Sequence, residues 1–367
     1  MKKWLLSLCM VLALTACENK KEDTQTNGKP VIKIGATLSM TGNLSYIGTG
    51  ARNALDMVME KWQKKDTKYN YQIVYEDDAL KLQQAAVNTQ KLINMDKANV
   101  VISVFGLVDR PVDEIANKNK VISLSCSFGK DEVPEYALNT APQNEEIYAS
   151  ALRELKKKNA KTVALLGTQA AVSNALFSYA AEHLSKDGIE VIFDERYGLG
   201  ETDYRLSIHK MEQKTPDYYL IFGVEPMNSV FAKQYYEATG KNNLLSLGSF
   251  ANISLKVFPP INGVLSVYLL GNNEAFEKEY FGKYHSRVES CSANLYDGLD
   301  MIITAFENTK PRDGETIPNN ADVLKTVKAF KTWDGAFGHL KIEPNGTMRS
   351  DVHIRIYQNG QWVKVKD

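Results

Sequence analysis

The chain has 367 residues, of which 44 are Lys or Arg, 44 are Asp or Glu, and 44% are hydrophobic. This length and composition suit about two globular domains with full cores. The balanced charge argues against nucleic acid as a partner, because contacts with phosphates need a basic face. It argues equally against a strongly acidic or strongly basic substrate.

The first residues have the pattern of an export signal. Lys2 and Lys3 form a basic head, followed by an apolar run over 4–15 that is too short to span a bilayer. The sequence LTAC at 14–17 resembles the lipobox of bacterial lipoproteins, in which cleavage precedes the Cys and its thiol carries lipid. We therefore predict a signal peptide over 1–16, lipidation at Cys17, and a cell-envelope location facing the periplasm or exterior. A plain secretory signal with an incidental Cys is the alternative.

Residues 17–30 are polar and lack apolar periodicity, which predicts a flexible tether. Of the four cysteines, Cys9 leaves with the signal and Cys17 takes the lipid, so Cys126 and Cys291 remain. Two cysteines are no disulfide framework, and their pairing stays open at this point. The five histidines have no metal-ligand spacing, so we expect no metal and no cofactor.

From residue 31 onward, strand and helix patterns alternate. Strands are predicted at 31–38, 71–75, 100–105, 121–124, 162–166, 190–193, 218–222 and 244–247, with helices at 51–62, 80–95, 111–117, 174–185, 203–213 and 228–238. Strands joined by helices pair in parallel through right-handed crossovers, and strands this apolar are buried on both faces. The pattern predicts an α/β fold with two doubly wound parallel-sheet lobes. Two further helices (275–284, 292–308) and three strands (340–343, 352–357, 362–365) follow.

Two motifs suggest a nucleotide site and an acid–base pair, but a structural explanation fits each of them better. Gly48-Thr49-Gly50 lies between a strand and a helix, but Asn53 occupies the position of the third glycine of a dinucleotide fingerprint. The preceding loop is also too long for that motif. Asp77 and Asp78 follow the second strand, and we interpret them as solvated loop charges.

A serine-rich segment, SLSCSF at 123–128, ends the fourth strand. It is not the G-x-S-x-G of a nucleophile elbow, and Cys126 has no visible His partner, so we expect a small buried residue there. Hydroxyl groups at the carboxyl end of a parallel strand, beside a helix N-terminus, suit a bound carboxylate. Ser125 and Ser127 are the candidates.

Seven segments in order give the mature chain a resemblance to type I periplasmic solute-binding proteins, above all the branched-chain amino-acid-binding group. They are IKIGATLSMTG (32–42), YEDDALKLQQAAVNTQKLI (75–93), LNTAPQNEE (138–146), GIEVIFDERYGLGETDY (188–204), PDYYLIFG (216–223), NLYDGLDMI (294–302) and DGAFGHLKIEPNG (334–346). The resemblance implies two lobes joined by three crossings, near Thr140, Tyr268 and Ala336. One lobe would hold 31–140 and 269–335, the other 141–268 and 336–367, with ligand in the cleft.

The resemblance also implies a set of ligand-binding positions. They fall on Tyr46, Leu107, Val108, Ser125, Ser127, Phe128, Val172, Ser173, Val224, Glu225 and Phe250. Leu107 stands where the family has a carboxylate-binding Ser, Val224 where it has a Tyr, and Phe250 where it has the ammonium-binding Glu. These departures predict an apolar pocket and a ligand that either is not a standard α-amino acid or is held differently. A carboxylate on an apolar or aromatic body fits Ser125, Ser127 and the helix N-termini. Glu225 would hold an amine if its side chain turned inward.

The resulting functional hypothesis is a lipid-anchored binding protein of an ABC importer that performs no chemistry. Its expected partners are a small-molecule ligand, a membrane permease, and the membrane itself through the lipid; a monomer suffices. Two alternatives remain: a ligand sensor of the same fold, and a module whose cleft no longer binds small molecules. An enzyme is the weakest hypothesis, because no nucleophile–base pair or phosphate loop is visible.

Overall fold

The computed structural model of the chain describes residues 28–130, 132–198, 200–223, 225–248, 262–271 and 273–365. The predicted signal peptide, the lipidation site Cys17 and most of the predicted tether lie outside these residues. Within them, strands and helices alternate and form two α/β lobes, each built on its own sheet.

The first lobe is built on a five-stranded parallel sheet in the order β2-β1-β3-β4-β5. Its strands are β1 (Val31–Leu38), β2 (Asn70–Asp77), β3 (Val100–Val104), β4 (Ile122–Cys126) and β5 (Ala137–Asn139), and its first helices are α1 (Ser45–Gln63), α2 (Leu82–Asn94) and α3 (Gly106–Lys118). Every residue of β3 and β4 is buried, which accounts for their continuous apolar character.

The second lobe repeats this order. It consists of α4 (Asn144–Lys157), β6 (Thr162–Thr168), α5 (Ala171–Lys186), β7 (Glu190–Tyr197), α6 (Arg205–Glu212), β8 (Tyr218–Phe222), α7 (Met227–Thr239), β9 (Leu244–Ser246) and β10 (Leu265–Tyr268). The parallel strands run β7-β6-β8-β9-β10, and two antiparallel strands, β14 (His353–Gln358) and β15 (Gln361–Lys364), complete the edge beyond β10. The predicted fold class is confirmed.

Between β10 and β14 the chain returns to the first lobe. It forms α8 (Glu274–Tyr284), α9 (Ser292–Asn308) and α10 (Asn320–Ala329), then a small antiparallel sheet of β11 (Thr332–Asp334), β12 (His339–Ile342) and β13 (Met348–Ser350). Helix α9 packs along α1, with Leu299 and Ile303 buried in the core of this lobe.

The third crossing lies later in the chain than we expected. Residues 336–350 were assigned to the second lobe, but Phe337 and Leu340 pack in one buried cluster with Ala54 and Met57 of α1. Only β14 and β15 pair with the second sheet. We therefore place the third crossing between β13 and β14, because the small sheet needs the apolar face of the first lobe to cover it.

Candidate functional site

The loops at the carboxyl ends of the parallel strands bring the two lobes together, as one packing contact and one electrostatic effect indicate. Phe128, two residues beyond β4, packs against the buried cores of both lobes. Tyr46, in the first turn of α1, lies close enough to Glu225 of the second lobe for that charge to act on its phenol. In doubly wound folds ligands bind at these strand ends.

Tyr46 is half-buried between two acidic side chains. Burial is the main cause that raises the pKa of the Tyr46 phenol well above its usual range, and the negative charges of Glu225 and Glu289 add to the rise. Glu225 comes from the loop after β8, whereas Glu289 precedes α9 in the first lobe. The phenol is therefore neutral at physiological pH and can donate or accept a hydrogen bond.

Both acidic residues are almost completely covered: Glu225 is 8% exposed and Glu289 is 9% exposed. The amide of Ser229 at the start of α7 donates to Glu225 Oε2 over 3.4 Å. Glu289 packs on α1, where a Cβ added to Gly50 would lie 2.9 Å from the Cβ of Glu289. Buried carboxylates from both lobes give this region negative character.

The sequence predicted a role for Glu225 and missed Glu289. Nothing in the spacing of Glu289 marks it, since it lies in an aperiodic segment before α9 and reaches Tyr46 only through the tertiary fold. The same packing explains the glycines of the Gly48-Thr49-Gly50 motif. A Cβ on Gly48 would lie 2.1 Å from the carbonyl oxygen of Ser39, so the motif permits close packing of α1.

Ser127 is held at the end of β4 by Asn139. The Ser127 amide donates to Asn139 Oδ1 (2.9 Å), and Asn139 Nδ2 donates back to the Ser127 carbonyl (2.8 Å). The hydroxyl of Ser127 lies beside the start of α3, where a Cβ on Gly106 would be 2.7 Å from Oγ. This places a hydroxyl next to a helix N-terminus, a position that favours anions. The Ser127 side chain is 3% exposed, and its hydroxyl also acts on the buried carboxyl of Asp109.

Ser125 is an internal residue. It has no exposed surface, its Oγ donates to the Leu138 carbonyl (3.4 Å), and Lys130 Nζ donates to it over 3.4 Å. Lys130 also forms an ion pair with the buried Asp113. We conclude that Ser125 stabilises the interior of the first lobe, and we do not retain it as a ligand contact.

Asp109, in the first turn of α3, is a buried acid that the sequence analysis overlooked. Burial raises the pKa of Asp109 to about 7, and the negative charge of Asp113 adds to this rise. The positive charge of Lys130 and the hydroxyls of Ser103 and Ser127 act in the other direction and lower the pKa. An acid on a helix flanked by charged residues resembles a solvated face in the sequence. Its burial follows from the packing of α3 against β3 and β4.

Among the predicted apolar contacts, Leu107 and Val172 have accessible surface. Leu107 is 56% exposed, and Val172 is half-buried against the core of the second lobe. Val108 has no exposed surface and packs between α2 and α3 with Leu92 and Val112. The prediction that Val108 lines the pocket is not retained, because adjacent residues on a helix point about 100° apart.

Ser173 is also an internal residue. Its hydroxyl lies 2.8 Å from Thr168 Oγ1 and 3.4 Å from the Phe222 carbonyl, to which it donates. It joins β6 and β8 inside the second lobe. Val224 and Phe250, two further predicted positions, lie outside the described residues.

A disulfide joins Cys126 at the end of β4 to Cys291 at the N-cap of α9, with the Cα atoms 5.7 Å apart. This settles the pairing that the sequence left open. The bond fixes the start of α9, and with it the segment that carries Glu289, to the end of β4, which Ser127 follows.

Asp77 and Asp78 correct our expectation of solvated loop charges. Asp78 has no exposed surface and accepts from Ser39 Oγ (2.6 Å) and Thr37 Oγ1 (3.1 Å). Asp77 accepts from the amide of Met40 (2.9 Å). Together they tie the end of β2 to the loop after β1.

In the part of the chain that the structure describes, no three His, Cys, Asp or Glu side chains are grouped to hold a metal ion. No helix among the described residues is long and apolar enough to cross a membrane.

Comparisons with known proteins agree with this architecture. Residues 31–361 match the model of the periplasmic binding protein family. The Leu/Ile/Val-binding protein of Citrobacter freundii is 21% identical over 262 residues, which cover 69% of this chain and 68% of that protein. Both names are those of solute-binding proteins.

Two solved structures share the fold. The leucine binding protein LivK from Thermotoga maritima has a TM-score of 0.79 and 19% identity, covering 91% of this chain and 98% of that one. A solute binding protein of an ABC transporter from Rhodopseudomonas palustris, in complex with 3,4-dihydroxy benzoic acid, has a TM-score of 0.78 and 18% identity, covering 91% and 96%. The chain therefore belongs to the periplasmic binding protein family, with the type I fold of the Leu/Ile/Val-binding group.

Proposed function

We propose that this protein is the lipid-anchored, extracytoplasmic binding component of an ABC importer. Its ligand would be a small amino-acid-like or apolar carboxylate molecule, bound between the two lobes. The observation that supports this most is the environment of Tyr46, whose phenol is acted on by the charge of Glu225 from one lobe and of Glu289 from the other. A ligand in contact with this region would touch both lobes at once.

The residues around the interlobe cleft suit both the charged groups and the apolar body of an amino-acid-like ligand. The backbone amides at the start of α3, beside Ser127, suit a carboxylate, and the exposed Leu107 with Phe128 suits an apolar body. Glu225 and Glu289 favour an ammonium group over a second anion. The two similar structures bear names of both kinds, one a leucine binding protein and the other a complex with an aromatic acid.

Binding would work through the hinge. A ligand that touches both lobes stabilises the closed arrangement by its differential affinity for that state, and the closed lobes then present a composite surface to a permease. One covalent chain with three crossings can do this as a monomer. We expect a dissociation constant of about 1 µM, which corresponds to roughly −8 kcal/mol.

A thermal-shift panel on the mature chain, with Cys17 replaced by Ser, tests this function. The panel contains all amino acids and a series of aliphatic and aromatic carboxylates. Ligand at about 100 times its dissociation constant adds about 2.7 kcal/mol, which raises the melting temperature by several degrees. Protein refolded from denaturant is used, so that a co-purified ligand does not mask the shift.

Glu225→Gln separates the two ligand classes, with Glu114→Gln as the matched control because Glu114 is an exposed partner of Arg110 on α3. If the ligand carries an ammonium group, the shift shrinks in Glu225→Gln and is unchanged in Glu114→Gln. If the ligand is a plain carboxylate, the Glu225→Gln protein keeps the full shift or gains. Absence of any shift across the whole panel contradicts the proposed function.

A further inference from the structure

The first lobe has a second face, at the end of its sheet opposite to the interlobe cleft. Asn70, the first residue of β2, pairs with Val31 of β1, and Ile122, the first residue of β4, pairs with Val100 of β3. The segments that lead into these parallel strands therefore meet at one edge, which we call the basal face (28–30, 64–69, 95–99 and 118–121). β1 has eight residues, so the basal face lies about 26 Å from the carboxyl ends of the strands.

Hydrogen bonds and an ion pair hold the segments of the basal face together. Lys29 Nζ lies 2.8 Å from the carboxylate of Asp66, which joins the first two segments. Asn320, at the start of α10, donates to the carbonyls of Asn99 (3.2 Å) and Lys120 (3.0 Å), which joins the other two. The four segments therefore form one surface, and their charges act together.

The basal face is positively charged, although the chain as a whole is neutral. It contains two aspartates and seven lysines, which gives a net charge of +5. The lysines are Lys29, Lys64, Lys65, Lys68, Lys97, Lys118 and Lys120, and all except Lys29 are exposed. The neighbouring segment 307–319 contains two basic and three acidic residues, so the net charge stays at +4 when it is included.

Lysines also occur at the corresponding edge of the second lobe, because they suit the C-terminal ends of helices. Several of those are in ion pairs with a nearby acid: Lys156 with Asp187, Lys186 with Glu182, and Lys241 with Glu212. Lys64, Lys118 and Lys120 of the basal face form no ion pair within the part of the chain that the structure describes. Their charge is therefore available to an anionic partner.

Two further features of the basal face fit a membrane as that partner. Gly28 belongs to this face and follows Cys17 by eleven residues, which span at most about 40 Å when fully extended. A lipid on Cys17 would thus keep the basal face, and not the edge of the second lobe, near the bilayer. Met95, at the C-cap of α2, is an apolar side chain that is 73% exposed among these lysines. Apolar and basic side chains together are typical of surfaces that lie in a membrane interface.

We propose that the basal face lies against a membrane surface that contains anionic phospholipid. The exposed lysines attract the phosphate groups of the lipids, and Met95 enters the interface. The inference rests on the lipid anchor of the proposed function, because the anchor brings this face to the bilayer, and it does not depend on the ligand. In this orientation the interlobe cleft lies on the side of the first lobe that is away from the membrane.

Co-sedimentation of the mature Cys17→Ser chain with lipid vesicles tests the inference, because without a lipid only the protein surface can bind. The vesicles consist of phosphatidylcholine alone or of phosphatidylcholine mixed with phosphatidylglycerol, at low ionic strength. One triple variant replaces Lys64, Lys118 and Lys120 by Gln. The matched control replaces Lys161, Lys210 and Lys214 by Gln, which removes the same charge from exposed positions at the corresponding edge of the second lobe. All six side chains are exposed, so the substitutions leave the fold intact.

We expect binding to the phosphatidylglycerol vesicles to be at least fivefold stronger than to phosphatidylcholine alone. It should be at least fivefold weaker in the basal-face variant, unchanged in the control, and lost at about 1 M salt, where the Debye length is about 3 Å. The inference is overturned if the two vesicle types bind the chain equally or not at all. It is also overturned if both triple variants bind alike, which would indicate a general attraction of surface lysines. Detergent partitioning of the chain that retains Cys17 tests the anchor separately, so failure of the anchor and failure of this inference are distinguishable.

Discussion

The carboxylate of Asp297 lies 2.6 Å from the amide nitrogen of Ala336, and its second oxygen accepts from the amide of Phe337 at 2.8 Å. These bonds fix the segment before β12 to helix α9. The next residue, Gly298, allows the other face of α9 to approach β4, since a Cβ there would lie 2.5 Å from a methyl carbon of Leu124.

This relationship predicts the effect of a side chain at Gly335. A Cβ at that position would lie 2.0 Å from Asp297 Oδ1. We expect Gly335→Ala to lower the free energy of unfolding by about 1–3 kcal/mol, as overpacking of a closed site does. Chemical denaturation measures this. Gly282→Ala, in α8 with open space around it, is the control and should be neutral or stabilising.

The buried acids predict the pH dependence of stability. Burial raises the pKa of Asp109 and of Asp297 to about 7 in the folded chain, far above the ordinary value of an aspartate. Between about pH 4 and 7 the folded state therefore binds more protons than the unfolded state. The contribution of Asp109 and Asp297 to stability is fully present below about pH 4 and is lost as the pH rises to about 7. Over this range each group lowers the free energy of unfolding by up to about 1.4 kcal/mol per pH unit.

Denaturation curves from pH 4 to pH 8 measure this slope. Asp109→Asn should remove about half of it while leaving the part due to Asp297, because the amide stays neutral at every pH. A slope that is the same in Asp109→Asn and the unmodified chain would show that Asp109 ionises normally.

The disulfide predicts a redox dependence of stability. Cys126 and Cys291 are 165 positions apart, and closing a loop of this length is expected to stabilise the fold by about 2–5 kcal/mol. Reductant should therefore lower the melting temperature of the unmodified chain. A Cys126→Ala/Cys291→Ala chain should melt at the lower temperature and ignore reductant; a double variant as stable as the oxidised chain would contradict the prediction.

The lipid anchor is a prediction from sequence alone, because Cys17 lies outside the described residues. We expect the chain expressed in a bacterial host to begin at Cys17, to carry a mass increase of lipid size, and to enter the detergent phase on phase separation. Cys17→Ser should remain in the aqueous phase. Equal partitioning of the two chains would argue for a plain secretory signal.

Much of the fold could be predicted from the sequence, because buried parallel strands have continuous apolar sequences. β1 was predicted with its observed bounds, and β8 likewise. Helix α4 was missed although its signals are present: the Gln143 amide donates to Glu146, and Ile147, Ala151 and Leu155 repeat every four residues. Short strands such as β13 carry no such pattern, since three residues hold too little periodicity.

The site was harder to predict because its contacts depend on tertiary packing. Ser127 and Tyr46 were named from the resemblance; Ser127 follows β4, Tyr46 lies in the first turn of α1, and their roles in binding stay predictions. Glu289 lies far from the other site residues in sequence, so only the packing of the segment before α9 reveals it. Asp109 is next to Leu107 and Val108 in sequence, but only the packing of α3 against β3 and β4 shows that it is buried. Val108 illustrates how a shift of one helical position exchanges an exposed residue for a core residue.

The most direct test of the account is a calorimetric titration of the refolded mature chain with the ligands that the thermal-shift panel selects. The account predicts one binding site per chain and a dissociation constant near 1 µM, weakened at least tenfold by Tyr46→Ala, which removes the phenol between Glu225 and Glu289. Saturable binding that Tyr46→Ala leaves unchanged, or no saturable binding of any amino-acid-like or apolar carboxylate ligand, would contradict it.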